Sequence, residues 1–242
     1  MTTPALAETV KGRGRHYRHP ITDELVPSVT NVLSVINKPA LVGWAAKQVA
    51  IMAADMRANL AELEHDEVVD LLKGAASRKS NRAGSRGTDV HQWIADRLTG
   101  SDDYELTGNA AAYLPAARSW LDDMNPTAIT VETTMFHPLF AGTCDAVVEI
   151  DGEKWLLDFK TSRGIYAEAA LQTSALAGCF LWMEDGNAVE AQAVDRVGVV
   201  RFDDKGKYEM REVDDPASHQ EMFLALLSFW YWQHETDKWK DA

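Results

Sequence analysis

Apolar residues recur at helical spacing through much of the first half of the chain. Ser28 and Thr30 can cap a first helix, and Pro39 suits the first turn of a longer one. The segment Ser77–Gly87 is small, polar and basic, which predicts a loop. Beyond this segment the helical spacing resumes, and Gly100 stands where a helix would end. Residues 1–125 are therefore expected to be mainly helical.

After residue 126 the pattern changes to short segments rich in β-branched and aromatic residues. Asp151-Gly152, between two of these segments, is a strong signal for a two-residue hairpin turn. The predicted strands are Ile129–Phe136, Gly142–Ile150, Trp155–Thr161, Ala191–Phe202 and Tyr208–Val213, and the predicted helices of this half are Ala167–Trp182 and about Pro216–Lys238. We expect an α+β fold in a single domain over residues 1–242, in which residues 126–242 form the sheet core.

The composition, with 46% hydrophobic and 25% charged residues, is that of an ordinary soluble globular protein. No apolar run is long enough for a transmembrane helix, and the N-terminus lacks the apolar core of a secretory signal. Two cysteines, Cys144 and Cys179, are too few for a disulfide framework or a thiolate metal cage. The pattern favours two buried thiols in a reducing cytoplasm.

The net charge of −13 argues at first against a nucleic-acid partner. The charge is unevenly distributed, because residues 1–86 carry a net charge of +3 and the remainder carries −16. Between Lys73 and Arg86 there are five basic side chains and no acidic one. Lys79, Arg82 and Arg86 could form a local phosphate-binding strip. The alternative is a solvated helix end and loop, and charge alone favours that alternative.

The Asp151-Gly152 turn fixes the register of the two strands that it joins. Glu149 then faces Lys154, and Asp145 faces Asp158. Two carboxylates facing each other in an antiparallel pair repel. A divalent cation such as Mg²⁺ would turn that repulsion into ligation. The register therefore predicts a metal site at Asp145 and Asp158.

Lys160 strengthens this hypothesis, because strand periodicity places it on the same face as Asp158. A metal that holds a phosphate, beside a lysine that orients water, is suited to phosphodiester hydrolysis. An acid-any-lysine triplet alone is a weak signal, and Asp203-Asp204-Lys205 matches it in an expected exposed turn. The alternative is a surface salt-bridge cluster.

Several motifs together resemble the PD-(D/E)XK nuclease superfamily, and within it the RecB-like branch that includes many bacteriophage exonucleases. The similarity covers roughly Ser28 to Leu176. The motifs are Gly142-Thr143-Cys144-Asp145, Leu156-Leu157-Asp158-Phe159-Lys160-Thr161-Ser162, Gln172, Gly87-Thr88-Asp89-Val90-His91, and Pro27-Ser28-Val29-Thr30 followed by Leu41-Val42-Gly43-Trp44. The resemblance implies a restriction-endonuclease-like fold, with an α/β/α core and a mixed sheet flanked by helices.

The resemblance also implies a metal site, in which His91, Asp145 and Asp158 bind Mg²⁺ together with the Phe159 backbone carbonyl. Mn²⁺ would substitute for Mg²⁺. Without the motif, His91 would be interpreted as an ordinary packed or exposed helix residue. Glu132 on the preceding strand is either an outer acid or second-metal ligand, or an ordinary strand-surface glutamate.

Other residues follow the same resemblance. Lys160 would activate water, Gln172 would hold the substrate or Lys160, and Thr161 and Ser162 would contact DNA. Leu176 stands where the RecB-like pattern often has a tyrosine. Relatives that hold an iron–sulfur cluster use four cysteines, so no such cluster is expected here.

By this resemblance the protein is an exonuclease that digests one strand from double-stranded DNA ends during phage or bacterial recombination or repair. The exposed strand would pass to an annealing or recombinase protein, and the location would be the host cytoplasm if the gene is a phage gene. One alternative is a structure-specific or restriction-type endonuclease. Another is a non-cleaving DNA-binding accessory protein, against which the intact Asp145, Asp158 and Lys160 argue. The apolar face of the C-terminal helix offers either a homo-oligomer contact or a surface buried against the protein's own sheet.

Overall fold

The computed structural model describes residues 4–235. By its contacts the chain divides into two compact units, of which the first comprises Met1–Val35 with Asp89–Ala242 and the second comprises Ile36–Thr88. The strands are β1 (Ala7–Val10), β2 (Gly14–Arg18), β3 (Leu25–Pro27), β4 (Thr127–His137), β5 (Phe140–Ile150), β6 (Glu153–Lys160), β7 (Leu181–Glu184), β8 (Asn187–Glu190), β9 (Arg196–Phe202) and β10 (Tyr208–Glu212). The helices are α1 (Val29–Leu33), α2 (Pro39–Asp55), α3 (Arg57–Leu60), α4 (His65–Lys73), α5 (Ala75–Leu98), α6 (Leu114–Met124), α7 (Ala167–Ala177) and α8 (Pro216–Glu235), with a 3₁₀ turn over Gly108–Tyr113.

The first unit is built on a seven-stranded sheet in the order β10-β9-β6-β5-β4-β7-β8. Only the β6–β9 pair is parallel, so the sheet is mixed. A second sheet has the antiparallel order β1-β2-β3. The α+β class and the mixed sheet flanked by helices, predicted from the sequence, are confirmed, and the arrangement is consistent with a restriction-endonuclease-like fold.

One large apolar cluster joins the sheet to helices of the first unit. Leu157 and Phe159 of β6 lie in it together with Trp93 of α5 and Trp120 of α6, and all four are buried. Burial of each such side chain contributes on the order of 1.5–3 kcal/mol. Because Leu157 and Phe159 occupy the core face of β6, the alternation of the strand leaves Asp158 and Lys160 on the other face, as predicted.

Two Asp-Gly turns make tight hairpins in the main sheet. Asp151-Gly152 has φ angles of +52° and +82°, which confirms the predicted turn. Asp185-Gly186 has φ angles of +49° and +80° and joins β7 to β8. The helix predicted over Ala167–Trp182 is therefore wrong beyond Ala177. Pairing of β7 with β4 overrides the helical preference there.

The expectation of a mainly helical first half is incomplete, because β1, β2 and β3 precede the first helix. These strands are short, and their order depends on contacts distant in sequence. Tyr17 of β2 and Val26 of β3 pack against Phe136 of β4. Ser28 caps α1 through a hydrogen bond from the Asn31 amide, as predicted.

The loop predicted over Ser77–Gly87 is wrong, because α5 is helical from Ala75 to Leu98. Two apolar anchors explain the helix. Ala75 is buried within the second unit, and Val90 is buried in the core of the first. Turn-forming residues between two such anchors do not interrupt the helix.

Helix α8 buries Phe223, Leu227 and Trp230 within the protein itself. The predicted apolar face is therefore covered by the chain's own residues, while Lys238 lies outside the described residues. Within residues 4–235, no helix combines the length and the apolarity that crossing a membrane requires.

Candidate active site

Strands β5 and β6 pair as predicted from Ile150 opposite Glu153 to Ala146 opposite Leu157. The ladder stops there, one position before Asp145 and Asp158. The predicted register is confirmed up to that point, and the facing of the two aspartates beyond the ladder stays a prediction. The backbone N–H of Phe159 donates to Asp145 Oδ2 at 2.6 Å. A side-chain carboxylate takes the place of a ladder carbonyl, and this contact fixes the orientation of Asp145.

A cluster of three potential metal ligands lies at this point of the sheet. His91, Glu132 and Asp145 each offer one ligand atom, and these atoms all lie within 4.8 Å of one another. His91 Nδ1 is 3.3 Å from Asp145 Oδ1. Helix α5 positions His91, since the neighbouring Val90 is buried in the core. The His91 and Phe159 rings lie nearly perpendicular to each other, with their centroids 5.9 Å apart. Strands β4 and β5 contribute the two carboxylates.

Glu132 has a backbone conformation that is uncommon for a residue with a long side chain. Its φ is +48°, in the left-handed region, and such a conformation costs about 1–3 kcal/mol. On either side of it, Val131 pairs with Ala146 and Thr133 with Cys144, whereas Glu132 itself has no ladder partner. Thr133 Oγ1 donates to the Val131 carbonyl at 3.1 Å across this irregularity. The register on both sides places Glu132 opposite Asp145.

The electrostatics of the cluster favour a cation. Burial and the nearby Asp145 carboxylate raise the pKa of Glu132 to about 7. The pKa of Asp145 is lowered, since His91 and Lys160 outweigh the opposing effect of burial. Burial lowers the pKa of His91, but Asp145 more than compensates and leaves it raised. Two carboxylates and an imidazole at these separations fit a divalent metal ion, for which carboxylate oxygen and imidazole nitrogen are ordinary ligands.

Asp158 lies outside this three-ligand group and is instead held by Lys160. The Lys160 Nζ is 2.7 Å from Asp158 Oδ1 and 2.5 Å from Oδ2. It also donates to Gln172 Oε1 on α7 at 3.4 Å. The Asp158 side chain is 4% exposed and that of Lys160 is 28% exposed, so the ammonium is the part of this pair that solvent or substrate can reach.

The charges on this pair follow from the contact. Burial raises the pKa of Asp158 to about 6, and Lys160 limits that rise. Burial lowers the pKa of Lys160, but Asp158 and Asp145 outweigh this effect and leave it raised. Lys160 is therefore an ammonium at neutral pH. It can donate hydrogen bonds to water or to a phosphate oxygen, and it cannot accept a proton.

Two cavities adjoin these residues. A cleft of about 920 Å³ includes Glu132 and Asp145 in its wall, together with Gln92 of α5 and Thr133 of β4. A small cavity of about 70 Å³ adjoins Gln172. Its polar lining residues are Arg15, Tyr17, Ser28, Thr30, Thr143 and Gln172. Arg15 and Thr143 line both cavities.

Arg15 is a residue that sequence reasoning missed. It lies on β2, a strand that the hydrophobic pattern did not indicate, and no local motif marks it. Its guanidinium makes no ion pair within residues 4–235. Ser28 was identified from the sequence only as part of a motif and as a helix cap.

The remaining predicted residues lie as follows. Thr161 and Ser162 directly follow β6, and Ser162 Oγ donates to the Gly164 carbonyl at 2.7 Å. Lys79, Arg82 and Arg86 belong to the second unit, on the part of α5 that precedes Thr88. Their predicted DNA contacts, and the predicted metal contact of the Phe159 carbonyl, stay predictions.

Comparisons with known proteins yield weak structural likenesses. No family model matches the chain, and no curated protein matches it. A crystal structure of an alkaline exonuclease (LHK-Exo) from Laribacter hongkongensis is 19% identical with a TM-score of 0.37, over 65% of this chain and 91% of that one. The same enzyme in complex with dAMP is 19% identical with a TM-score of 0.36 over the same shares. The structure of SSO0001 is 14% identical with a TM-score of 0.29, over 59% of this chain and 74% of that one. Because these scores are below 0.5, a function has to rest on the residues of the site.

Proposed function

We propose that this protein is a metal-dependent deoxyribonuclease that hydrolyses DNA phosphodiesters, acting from the ends of double-stranded DNA. The observation that carries the proposal is the His91–Glu132–Asp145 cluster beside the Asp158–Lys160 pair. Glu132 and Asp145 are two carboxylates with ligand atoms within 4.8 Å of each other, and within residues 4–235 the Glu132 side chain makes no hydrogen bond. The proposed ion is Mg²⁺, with Mn²⁺ as a substitute.

His91, Glu132 and Asp145 would hold the metal ion, and Asp158 lies on the adjacent strand. When bound, a divalent ion supplies positive charge that polarises a phosphoryl oxygen and lowers the pKa of a water molecule. The contact between Asp145 and the Phe159 amide keeps that carboxylate oriented. These positions match the motif residues of the PD-(D/E)XK resemblance, with Glu132 as an additional member.

Lys160 contributes to the chemistry as a fixed cation. Asp158 and Gln172 hold its Nζ from two sides, so the ammonium is oriented before the substrate arrives. An oriented donor stabilises negative charge that develops in the transition state, and the loss of one such donor typically reduces kcat by about 10²–10³-fold. The proposed role of Lys160 is to orient the attacking water and to neutralise charge on the phosphate.

The small cavity supports action at a DNA end. Its volume of about 70 Å³ is on the scale of a phosphate group. Arg15 supplies a positive charge, and the hydroxyl groups of Ser28, Thr30 and Thr143 supply hydrogen-bond donors. A strand that ends in a phosphate could place that group in the cavity. An internal phosphate carries a nucleoside on both sides and fits less well.

Cleavage of linear duplex DNA, compared with a covalently closed circle of the same sequence, tests the proposal. We expect degradation of the linear form with Mg²⁺ or Mn²⁺, none in EDTA, and little attack on the circle. Asp145→Asn should be inactive. Asp203→Asn, in the β9–β10 turn that also matches the acid-any-lysine pattern, should retain activity. Activity in EDTA would refute the metal dependence, and equal attack on the circle would indicate the endonuclease alternative.

The proposed biological setting is recombination or repair, in phage or bacterial cells. The exposed single strand would be used by an annealing or recombinase protein. Assembly of several copies would direct the basic residues Lys79, Arg82 and Arg86 of each copy to a shared DNA. The acidic surfaces, which give the net charge of −13, would then lie away from the duplex. Light scattering of the purified protein would test assembly, and a monomer would contradict it.

A further inference from the structure

The N-terminal part of α5 is exposed along nine consecutive positions. Residues 77–85, with the sequence Ser-Arg-Lys-Ser-Asn-Arg-Ala-Gly-Ser, are all exposed. Helices on a protein surface normally bury one apolar stripe. This stretch contains one alanine and otherwise only polar, charged or glycine residues, so no such stripe exists. We call residues Ser77–Gly87 the basic segment.

The basic segment is also a poor helix former. Serine, asparagine and glycine all have lower helix propensity than alanine, and glycine is the least favourable of these. Most of the stability of a helix in a protein comes from the packing of an apolar face, and residues 77–85 bury no such face. The two ends of the segment are held, since Ala75 and Val90 are buried in their respective units. The helical form of the segment therefore has little stabilisation of its own.

The charge of the segment indicates what could stabilise it. No acidic residue occurs between Lys73 and Thr88, in a protein with a net charge of −13. The Arg78 guanidinium is already used within the second unit, where it donates to the Leu71 carbonyl. In the part of the chain that the structure describes, Lys79 and Arg82 form no ion pair. These two lie three residues apart, so they share one side of the helix.

We propose that the basic segment binds the sugar-phosphate backbone of duplex DNA, and that this contact stabilises its helical form. The inference rests on the proposed function, because it takes the substrate of that function as its partner. Lys79 and Arg82 supply the charge for phosphate binding. The serine and asparagine side chains supply further donors of the kind that contact phosphates. Small residues such as Ala83 and Gly84 allow the backbone of the helix to approach DNA closely.

Stabilising the helix without changing its charge should then tighten DNA binding. Gly84 has no atom within 4 Å of the position that a Cβ would take, and its φ is not positive. Gly84→Ala therefore fits and favours the helix. Because the ordering cost is reduced in the free protein, the affinity for a blunt duplex oligonucleotide should rise by up to about fivefold. Fluorescence anisotropy in EDTA, at one fixed salt concentration, measures this.

Gly43→Ala is the matched control. Gly43 is an exposed glycine inside α2, in the same unit, and it also has no atom within 4 Å of an added Cβ. The substitution should favour α2 to a similar degree and leave the affinity for DNA unchanged. An equal gain in both variants, or no gain in Gly84→Ala, would contradict the coupling between helix formation and DNA binding.

Hydrogen exchange gives a direct readout on the wild type. With the duplex oligonucleotide in EDTA, the amides of residues 77–87 should exchange at least severalfold more slowly than without DNA. Replacing both Lys79 and Arg82 by glutamine should remove this protection. It should also flatten the log–log salt dependence of binding by up to about 0.9 per lost phosphate contact. Unchanged exchange in the presence of bound DNA would overturn the inference.

The two proposals fail in different ways. A protein that cleaves DNA with Mg²⁺ while the basic segment shows unchanged exchange would retain the proposed function and lose this inference. A protein that gains protection at residues 77–87 but never cleaves DNA would retain the inference and lose the nuclease function. Absence of DNA binding altogether would overturn both.

Discussion

The substitution Glu132→Gln tests the account of the metal cluster without an activity assay. In the metal-free protein, Glu132 faces the Asp145 carboxylate, and its pKa is raised from 4.5 to about 7. As the pH rises from 4.5 towards 7, the unfolded chain loses this proton before the folded protein does. Folding then takes up a proton, so the free energy of unfolding falls through this window. Above about pH 7 the loss is complete.

The magnitude follows from the size of the pKa change. A rise from 4.5 to about 7 corresponds to at most about 3–4 kcal/mol. Glu132 is partly exposed, so solvent screening reduces the expected loss to about 1–2 kcal/mol. In a protein of this size, a change of that magnitude shifts Tm by roughly 2–8 °C. Glutamine has no such titration, and the variant should therefore become relatively more stable than the wild type between pH 5 and pH 8.

Thermal unfolding in EDTA across this pH range measures the difference between the two proteins. Glu149→Gln, at an exposed position near the end of β5, is the control and should follow the wild type. Added Mg²⁺ should raise the Tm of the wild type and have less effect on Glu132→Gln, because binding to the folded state stabilises it. If the Tm of wild type and that of Glu132→Gln change with pH in the same way in EDTA, the raised pKa of Glu132 beside Asp145 is refuted.

Three further outcomes are expected. Asp145→Asn and Asp158→Asn should each abolish cleavage, and only Asp145→Asn should also remove most of the Mg²⁺-induced rise in Tm. Loss of that rise in Asp158→Asn but not in Asp145→Asn would contradict the cluster geometry. Lys160→Met should lower the single-turnover rate of cleavage by about 10²–10³-fold or more, while the Mg²⁺-induced rise in Tm persists. A near-normal rate would exclude the role of Lys160 as a fixed donor. Arg15→Gln should reduce the preference of the enzyme for linear DNA with a terminal phosphate over the same DNA after phosphatase treatment. An unchanged preference would show that Arg15 does not bind the terminal phosphate.

The part of the site around the β5–β6 hairpin could be predicted because it is determined by residues close in sequence. Asp151-Gly152 fixes a turn, and the turn fixes the register of β5 against β6. Strand alternation then separates Asp158 and Lys160 from the core residues Leu157 and Phe159. Each step depends on neighbours within a few residues, so the sequence alone is sufficient.

Other parts of the molecule depend on contacts between distant residues. Strand β2 carries Arg15 to the small cavity, but it is short and is stabilised by packing of Tyr17 on Phe136. No periodicity in the sequence reveals that contact. The helical form of Ser77–Gly87 was missed for a related reason, since the anchors lie at Ala75 and Val90, outside the segment. The Asp185-Gly186 turn, in contrast, was available in the sequence as the same hairpin signal as Asp151-Gly152.

The end of the β5–β6 ladder connects these observations. Continued pairing would place Asp145 directly against Asp158, and two facing carboxylates are unfavourable without a cation. The ladder instead ends at Ala146 opposite Leu157, the Phe159 amide donates to Asp145, and Lys160 neutralises Asp158. Asp145 lies in one cluster with His91 and Glu132, so its carboxylate also repels that of Glu132. Within residues 4–235 the Glu132 carboxylate forms no ion pair, and this is the physical reason to expect the metal ion beside it.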